Sequence, residues 1–215
     1  MENRVLIAKR VAQEFKDGDI VNLGVGIPTL AANYIPDNIK VTLHSENGFV
    51  GLGPESGLPD PDITNAGGQP ASILPGGAAF DSVMSFAIIR GGHLKATVLG
   101  ALEVDQEGNL ANWMVPNKLV PGMGGAMDLV VGAQRVIVAM EHVGKSGNPK
   151  IVKKCTLPLT ACNEVDLIIT DYCVFEVTKQ GLVLTELAPG IDLETIKRTT
   201  EADYVISADL KEMVV

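Results

Sequence analysis

Short runs of mainly aliphatic residues recur along the chain and constrain its fold more than any other feature. Each run has three to five residues, and polar or glycine-rich segments separate the runs, which are Ile20–Leu23, Val41–Leu43, Thr97–Leu99, Val136–Met140 and Leu167–Thr170. Continuous apolar runs of this length are typical of strands that are buried on both faces of a parallel sheet. The pattern therefore predicts an α/β fold with a mainly parallel or mixed sheet.

Helical segments lie between these runs. Val5, Ala8, Val11, Ala12 and Phe15 recur at steps of three and four residues, which predicts a helix that ends at the Asp17-Gly18-Asp19 cluster. Further helices are predicted from the positions of proline, glycine and polar caps: from Pro28 to about Tyr34, from Asp81 to Ile89 with Gly91-Gly92 closing it, and a last helix over Asp192–Thr199.

Two other regions have distinct patterns. Phe175–Val177 and Leu182–Leu184 flank Lys179-Gln180-Gly181, which predicts a hairpin. Residues 51–80 are rich in Gly, Pro and Asp and lack a period, so we predict long ordered loops there with one short strand at most, of the kind that covers a functional site. No repeat or linker divides the 215 residues, and we expect a single domain over residues 1–215.

Composition excludes several classes of function. Seventeen Lys and Arg against 26 Asp and Glu give a net charge of −9, which disfavours binding to nucleic acid or to an anionic membrane. We find no signal peptide at the charged N-terminus and no apolar run near the roughly 20 residues that a membrane-spanning helix needs. Three unpaired cysteines (Cys155, Cys162 and Cys173) fit a reducing cytoplasm. The dispersed histidines predict no metal site.

Glu46 is the first candidate for chemistry. It follows an apolar strand and precedes Asn47-Gly48, a strong turn dipeptide. Because open α/β sheets bind ligands at the carboxyl ends of their strands, a turn would present this carboxylate at the expected place. An ordinary surface turn explains the same pattern, and both interpretations stay open.

The segment Gly24-Val25-Gly26-Ile27-Pro28 joins a predicted strand to a predicted helix. Its backbone N–H groups could face an anion, and Glu46 lies 20 residues after Gly26, where a ribose-binding acid would lie in a dinucleotide fold. The third position of that fingerprint is Thr29 instead of glycine, which weakens this interpretation. A plain tight turn remains the alternative.

A second glycine-rich segment runs from Pro121 to Asp128. Gly122, Gly124 and Gly125 allow close approach of a ligand, and Met123 and Met127 supply adaptable apolar contact. A packed loop that leads into a helix is equally compatible with this composition.

Two further groups are weaker candidates. Lys145, Lys150, Lys153 and Lys154 form the one basic cluster and could meet phosphates, although a solvated edge is the simpler interpretation. A Cys162–His142 thiolate–imidazole pair has no support from spacing, since buried cysteine is the usual case.

Several motifs together resemble the B (β) subunit of the class I 3-oxoacid CoA-transferases, from the first helix to near the C-terminus and in order. The segment from Leu43 to Gly51 looks like the active-site signature of that family, in which the glutamate is the nucleophile. The other matching segments are Asn22–Pro28, Asn65–Pro70, Ser85–His93, Leu110–Trp113, Gly122–Leu129 and Lys154–Thr160. Asn65–Pro70 is most similar to the acetate/butyrate–acetoacetate branch. His44 stands where the family commonly has Gln, and Asn117 where it commonly has Gly.

The resemblance implies a three-layer α/β/α fold and a ping-pong reaction. CoA moves between a short-chain 3-oxoacyl-CoA and a free carboxylic acid through a glutamyl-CoA thioester on Glu46. It also implies a homologous A (α) subunit in a heterodimer or an α2β2 assembly, coenzyme A as substrate, no permanently bound cofactor and no metal.

Within that implication, we expect Gly24, Val25, Gly26, Ile27, Met123, Gly124, Gly125, Met127 and Lys145 to contact CoA or an oxyanion. Glu46 must be ionised to attack, and burial alone would favour its neutral form, so we expect hydrogen-bond donors or a positive field nearby. The alternative function is a phosphate- or nucleotide-substrate enzyme of the isomerase type that uses Glu46 as a general base. A non-catalytic assembly subunit is the third possibility.

Overall fold

The computed structural model describes residues 2–53, 60, 62–118 and 122–215. The helices in these ranges are α1 (Asn3–Ala12), α2 (Ile27–Leu30), α3 (Ser82–Arg90), α4 (Ala126–Gly132) and α5 (Leu193–Thr199), and a 3-10 turn, Ala31–Tyr34, continues α2. The strands are β1 (Ile20–Leu23), β2 (Thr42–Ser45), β3 (Phe49–Gly53), β4 (Ser72–Ala79), β5 (Ala96–Leu99), β6 (Glu103–Asp105), β7 (Leu110–Ala111), β8 (Val136–Ala139), β9 (Ile151–Val152), β10 (Leu167–Ile169), β11 (Cys173–Thr178), β12 (Gly181–Leu187) and β13 (Tyr204–Glu212).

A mixed sheet of ten strands forms the centre of the fold. Its order is β13-β12-β11-β10-β8-β5-β1-β2-β3-β4, and the five central strands from β10 to β2 are parallel. Antiparallel pairing adds β3 and β4 at one side and β11 and β12 at the other. The parallel strands therefore end along one edge, where α/β folds place ligands.

Helices cover both faces of the sheet, which makes the three layers that the resemblance implies. Val136 and Val138 of β8 point into a core with Ile89 of α3 and Leu129 of α4. Ile137 of the same strand points into a second core, which includes residues of α1. Because successive side chains of a strand face opposite sides, β8 and β10, which are buried on both faces, are apolar throughout.

Two helices, α3 and α5, begin at capping aspartates. The Asp81 carboxylate accepts a hydrogen bond from Met84 N, and the Asp192 carboxylate accepts one from Thr195 N, so each aspartate begins its helix. Gly91 ends α3 as predicted. The first helix is shorter than expected, since α1 ends at Ala12 and not near Asp17. Phe15 still packs into the second core from the turn that follows.

The largest error of the sequence-based prediction concerns residues 51–80. β4 has eight residues and pairs with β3, so this region contributes a full edge strand in addition to the end of β3. Its Gly76-Gly77 pair and its exposed side chains hid the strand pattern. Residues 54–59 and 61 of the predicted loop lie outside the described residues. β13, which follows the predicted last helix, was also unforeseen, as was the small β7-β6-β9 sheet.

No helix in the described part of the chain is long and apolar enough to cross a membrane.

Asn117 stands where the family that this sequence resembles commonly has glycine, and it has a φ of 62°. This left-handed conformation suits glycine, and asparagine tolerates it better than most residues.

Candidate active site

Glu46 lies in the turn between β2 and β3, at the carboxyl end of β2. The amide of Gly48 donates to the Ser45 carbonyl at 3.0 Å and closes the turn. Gly48 has a φ of 134°, and a Cβ there would lie 2.4 Å from the Phe80 carbonyl oxygen. Only glycine fits this position, so the Asn47-Gly48 dipeptide fixes Glu46 at the edge where the parallel strands end.

Two neighbours define the surroundings of the Glu46 carboxylate. Asn22 Nδ2 donates to Oε2 at 3.1 Å. On the other side, a Cβ added to Gly125 would lie 3.3 Å from Oε1, so the absence of a side chain at Gly125 leaves room for the carboxylate. Asn22 is a hydrogen-bond donor of the kind expected beside an ionised Glu46. None of the ion pairs in the described ranges involves Glu46.

A chain of hydrogen bonds holds the backbone of Glu46. The Ser85 hydroxyl donates to the Glu46 carbonyl at 2.8 Å, and His44 Nε2 lies 3.1 Å from Ser85 Oγ. Because the Ser85 proton points to the carbonyl, Nε2 of His44 donates to Ser85 and Nδ1 accepts from Asn22 at 3.4 Å. Burial lowers the pKa of His44 to about 4, so the ring is neutral at pH 7 and has the required single proton.

A cavity of about 830 Å³ opens beside Glu46. This volume is within the usual range of small-molecule sites. Of the predicted site residues, six line it: Gly24, Val25, Glu46, Met123, Gly124 and Gly125. The cavity continues past α2 over an apolar surface that includes Leu30, Ile35, Ile39, Val41, Leu43, Leu52 and Leu74.

The described part of the 51–80 region covers one side of this cavity. Asn65 Oδ1 accepts hydrogen bonds from the amides of Gly67 and Gln69, at 2.9 and 3.1 Å, which makes a compact turn. A Cβ on Gly67 would lie 2.9 Å from Val25 Cγ2, so this turn packs directly on the Gly24–Val25 loop. These contacts agree with the expected covering role.

The Gly24–Pro28 loop is held on the sheet by its own residues. Gly24 N donates to the Val98 carbonyl at 2.8 Å, and a Cβ on Gly24 would lie 3.0 Å from the same oxygen. The Thr29 hydroxyl donates to the Gly24 carbonyl at 2.8 Å. Thr29, which stands where the dinucleotide fingerprint has its third glycine, thus closes this loop.

Four predicted site residues do not line the cavity. Gly26 and Ile27 lie at the start of α2, where Ile27 packs against the second core. Met127 is 50% exposed on α4. Lys145 is exposed in the turn over residues 144–147 that follows β8. Pro121, the first residue of the second glycine-rich segment, lies outside the described residues.

The weaker candidates are dispersed in the structure. Lys153 pairs with Asp203 at 3.1 Å, and burial lowers the pKa of the half-buried Lys150. His142 is fully buried and contacts Cys173, while Cys162 is exposed, so the Cys162–His142 pair does not form. In the described ranges, no three His, Cys, Asp or Glu residues are arranged to hold a metal ion.

Sequence reasoning assigned no role to Asn22 or Ser85. Both were visible as the first residues of two matching motifs, Asn22–Pro28 and Ser85–His93. Their relation to Glu46 depends on strand register, since Asn22 of β1 is paired with His44 of β2. No periodicity within the chain encodes that register.

Comparison with known proteins gives a consistent result. Residues 4–199 match the family described as Coenzyme A transferase. The acetate CoA-transferase subunit beta of Haemophilus influenzae is 60% identical over 216 residues, which is 99% of this chain and 96% of that protein. A mitochondrial succinyl-CoA:3-ketoacid coenzyme A transferase of Mus musculus is 54% identical over 98% of this chain, which covers 41% of that protein.

Solved structures agree with the fold. An acyl-CoA transferase apoenzyme from Escherichia coli O157:H7 superposes with a TM-score of 0.80 at 27% identity, over 99% of this chain and 43% of that chain. A thioester complex with CoA, also of an E. coli O157:H7 acyl-CoA transferase, gives a TM-score of 0.75 at 26% identity, over 100% of this chain and 43% of that chain.

Proposed function

Because this chain belongs to the coenzyme A transferase family, we propose that it moves CoA between a short-chain 3-oxoacyl-CoA and a free carboxylic acid, with Glu46 as nucleophile. The observation that carries the proposal is the placement of the Glu46 carboxylate. It lies in the cavity wall at the carboxyl ends of parallel strands, with an amide donor on one oxygen and a glycine beside the other. The CoA-thioester complex of the E. coli O157:H7 relative supports covalent chemistry of this type.

The first half of the reaction forms a thioester on the enzyme. A Glu46 oxygen attacks the thioester carbonyl of the acyl-CoA, the C–S bond breaks, and CoA leaves as thiolate. The product is a mixed acyl–glutamyl anhydride. The thiolate then attacks the Glu46 Cδ carbonyl, the bond between Cδ and the bridging oxygen breaks, and the acyl group leaves with that oxygen as its free carboxylate. The second acid runs these steps in reverse. A carboxylate is required because the serine or cysteine alternative cannot form an anhydride.

Each step passes through a tetrahedral intermediate that needs hydrogen-bond donors at its oxyanion. Asn22 Nδ2, 3.1 Å from Oε2, is placed to stabilise the oxyanion that develops on Glu46 itself. The backbone around Gly124 and Gly125, and the loop at Gly24 and Val25, line the same cavity and are proposed to contact CoA or the acyl oxyanion.

Water must be kept from both covalent intermediates, since each hydrolyses. The Asn65–Gln69 turn packs on Val25 and covers one side of the cavity, which supports this role. CoA is a substrate in this scheme, and no other cofactor is needed. The remote parts of CoA add binding energy that can lower the barrier of the acyl step.

We further propose a homologous α subunit as partner, in a heterodimer or an α2β2 assembly, without which this chain is inactive. The Haemophilus influenzae relative is named a subunit beta, and the longer mouse relative has room in one chain for a second half. Acetate, acetoacetate and butyrate are the proposed acids, and the cytoplasm is the proposed location. These details rest on the resemblance and the relatives.

Initial-rate kinetics of the complex with its α partner test the proposal. When acetoacetyl-CoA is varied at several fixed concentrations of acetate, a ping-pong enzyme gives parallel lines in double-reciprocal plots. Glu46→Gln should abolish the activity, and Glu201→Gln, which changes an exposed carboxylate near β9, should leave it intact. Intersecting lines, or full activity of Glu46→Gln, would instead favour a general-base or non-catalytic role.

A further inference from the structure

Two buried polar atoms beside the site have no protein partner. Within residues 2–53, 60, 62–118 and 122–215, Asn22 Oδ1 and Thr97 Oγ1 are the only buried side-chain oxygen or nitrogen atoms in this state. Asn22 is 1% exposed and Thr97 is fully buried. Leaving a buried amide oxygen or hydroxyl without a hydrogen bond is unfavourable, and native proteins pair nearly all such groups with protein or ordered water.

The two residues are neighbours in the sheet. Asn22 of β1 is the register partner of Thr97 of β5, and on its other side it is the register partner of His44 of β2. Register partners in parallel strands point to the same face, so His44, Asn22 and Thr97 form one polar row across three strands. Apolar residues of the same face, among them Val136 and Val138 of β8, pack under α3 and α4.

The orientation of the Asn22 amide is fixed by its surroundings. Its nitrogen faces three acceptors: Glu46 Oε2 at 3.1 Å, the His44 carbonyl at 3.3 Å and His44 Nδ1 at 3.4 Å. Rotating the amide would place its oxygen against the carboxylate and the carbonyl. The oxygen therefore points away from Glu46 and needs a donor on that side, and the Thr97 hydroxyl does not bond to it directly.

We propose that Thr97 is a positioning residue for CoA transfer: its hydroxyl and the Asn22 amide oxygen share one buried water, and this bridge holds the Asn22 nitrogen on the Glu46 carboxylate. The proposal rests on the proposed function of Glu46. The water accepts from the Thr97 hydroxyl and donates to Asn22 Oδ1, so both unpaired atoms are satisfied. Thr97 does not line the cavity, so it acts only through Asn22.

The bridge has a direct consequence for the chemistry. A donor on the amide oxygen polarises the amide and strengthens the hydrogen bond that its nitrogen gives to Glu46. That hydrogen bond matters most when the thiolate attacks the glutamyl carbonyl and negative charge develops on Oε2. Loss of the bridge should therefore slow thioester formation without weakening the binding of acyl-CoA.

The test compares Thr97→Val, which removes the hydroxyl and keeps the shape, with Thr97→Ser, which keeps the hydroxyl. Both are made in the complex with the α partner, and Thr185→Val, at a half-buried threonine of β12, is the matched control. Thr97→Val should slow single-turnover formation of the enzyme–CoA thioester about 10-fold, which corresponds to the net contribution of one hydrogen bond, with KM for acyl-CoA unchanged. Thr97→Ser and Thr185→Val should keep the wild-type rate.

A wild-type rate in Thr97→Val, or equal slowing in Thr97→Val and Thr97→Ser, would overturn the proposal. If Thr97→Val does not fold, a high-resolution crystal structure of the wild-type complex decides: solvent density within hydrogen-bond distance of both atoms is expected, and its absence contradicts the bridge. Failure of the proposed function is recognised separately, because the wild-type complex would then form no thioester on Glu46 at all.

Discussion

Two networks of polar side chains join distant parts of the chain, and they are built differently. The first, the Arg10 network, consists of Arg10, Glu14, Arg135, Glu186 and Lys211. Arg10 donates to both oxygens of Glu186, at 2.7 and 3.0 Å, and Glu14 is paired with both arginines. The network ties α1 to β12 and, through Lys211, to β13. Burial opposes ionisation of Glu186, but the hydrogen bonds and charges of Arg10 and Lys211 lower its pKa.

The second group, the Glu46 network, consists of Asn22, His44, Glu46 and Ser85. Its donors are neutral, and its carboxylate faces a cavity on one side. Every carboxylate of the Arg10 network has cationic partners, whereas Glu46 has one amide donor and forms none of the ion pairs seen in the described ranges. A carboxylate that is paired with cations stabilises the structure. A carboxylate that has only a neutral hydrogen-bond donor and faces a cavity is available for reaction.

Replacing the carboxylate in each network should give opposite results. Glu46→Gln should lower the transfer rate of the complex by at least about 10⁴-fold, because the amide cannot act as the nucleophile. Its stability should change by less than about 1 kcal/mol. Glu186→Gln should keep the activity of the folded enzyme and lower its stability. Transfer assays and urea unfolding give the rate and the unfolding free energy of both variants. Equal effects of the two substitutions on activity would contradict the different roles of the two networks.

Arg10→Met tests the Arg10 network alone. It leaves Glu186, which is 5% exposed, without its main partner, and removal of one member of a buried ion pair costs about 3–5 kcal/mol. The measurement is the unfolding free energy from urea titration. The double variant Arg10→Met/Glu186→Leu should recover most of the loss, since no buried charge then lacks its partner. A loss in the double variant as large as in Arg10→Met would show that packing, and not charge, is responsible.

Gly125→Ala tests whether the Glu46 network needs the space beside the carboxylate. The added Cβ would lie 3.3 Å from Glu46 Oε1 and 3.4 Å from Phe86 Cζ, which is tight enough to displace the carboxylate. We expect a loss of about 10-fold in thioester formation, since a misplacement of about 1 Å can cost about 10²-fold and this displacement is smaller. Gly100→Ala is the matched control because its Cβ would meet nothing within 4 Å. Equal rates in the two variants would show that the space at Gly125 does not affect thioester formation.

The effect of His44→Gln is confined to acid pH, and near neutral pH it is the smallest of those expected. Burial lowers the pKa of His44 to about 4 from 6.5, so the unfolded chain binds this proton first as the pH falls. The folded state therefore loses stability between pH 6.5 and pH 4, by up to about 1.4 kcal/mol per pH unit. His44→Gln should remove this contribution and leave stability at pH 8 nearly unchanged. The exposed His93 provides the control, His93→Gln, and an identical acid profile in both variants would contradict the burial of a neutral His44.

Elements with local signals could be predicted from the sequence. β1 has the expected bounds, and α3 and α5 begin after the aspartates that cap them. β4 and β13 were missed because they are mainly exposed edge strands whose conformation depends on pairing with β3 and β12. Glu46 could be identified because a turn and a motif mark it. Asn22, Ser85 and Thr97 could not be assigned, since strand register and helix packing bring them to the site.

Mass spectrometry of the covalent adduct tests whether Glu46 is the nucleophile. The complex with the α partner is incubated with acetoacetyl-CoA without acceptor acid, and the intact mass of this chain is measured before and after borohydride treatment, followed by peptide mapping. A CoA-sized adduct is expected on the peptide that contains Glu46, and borohydride should convert it to the alcohol derived from glutamate. The absence of an adduct in an assembled complex, or an adduct on another residue, would show that Glu46 is not the nucleophile.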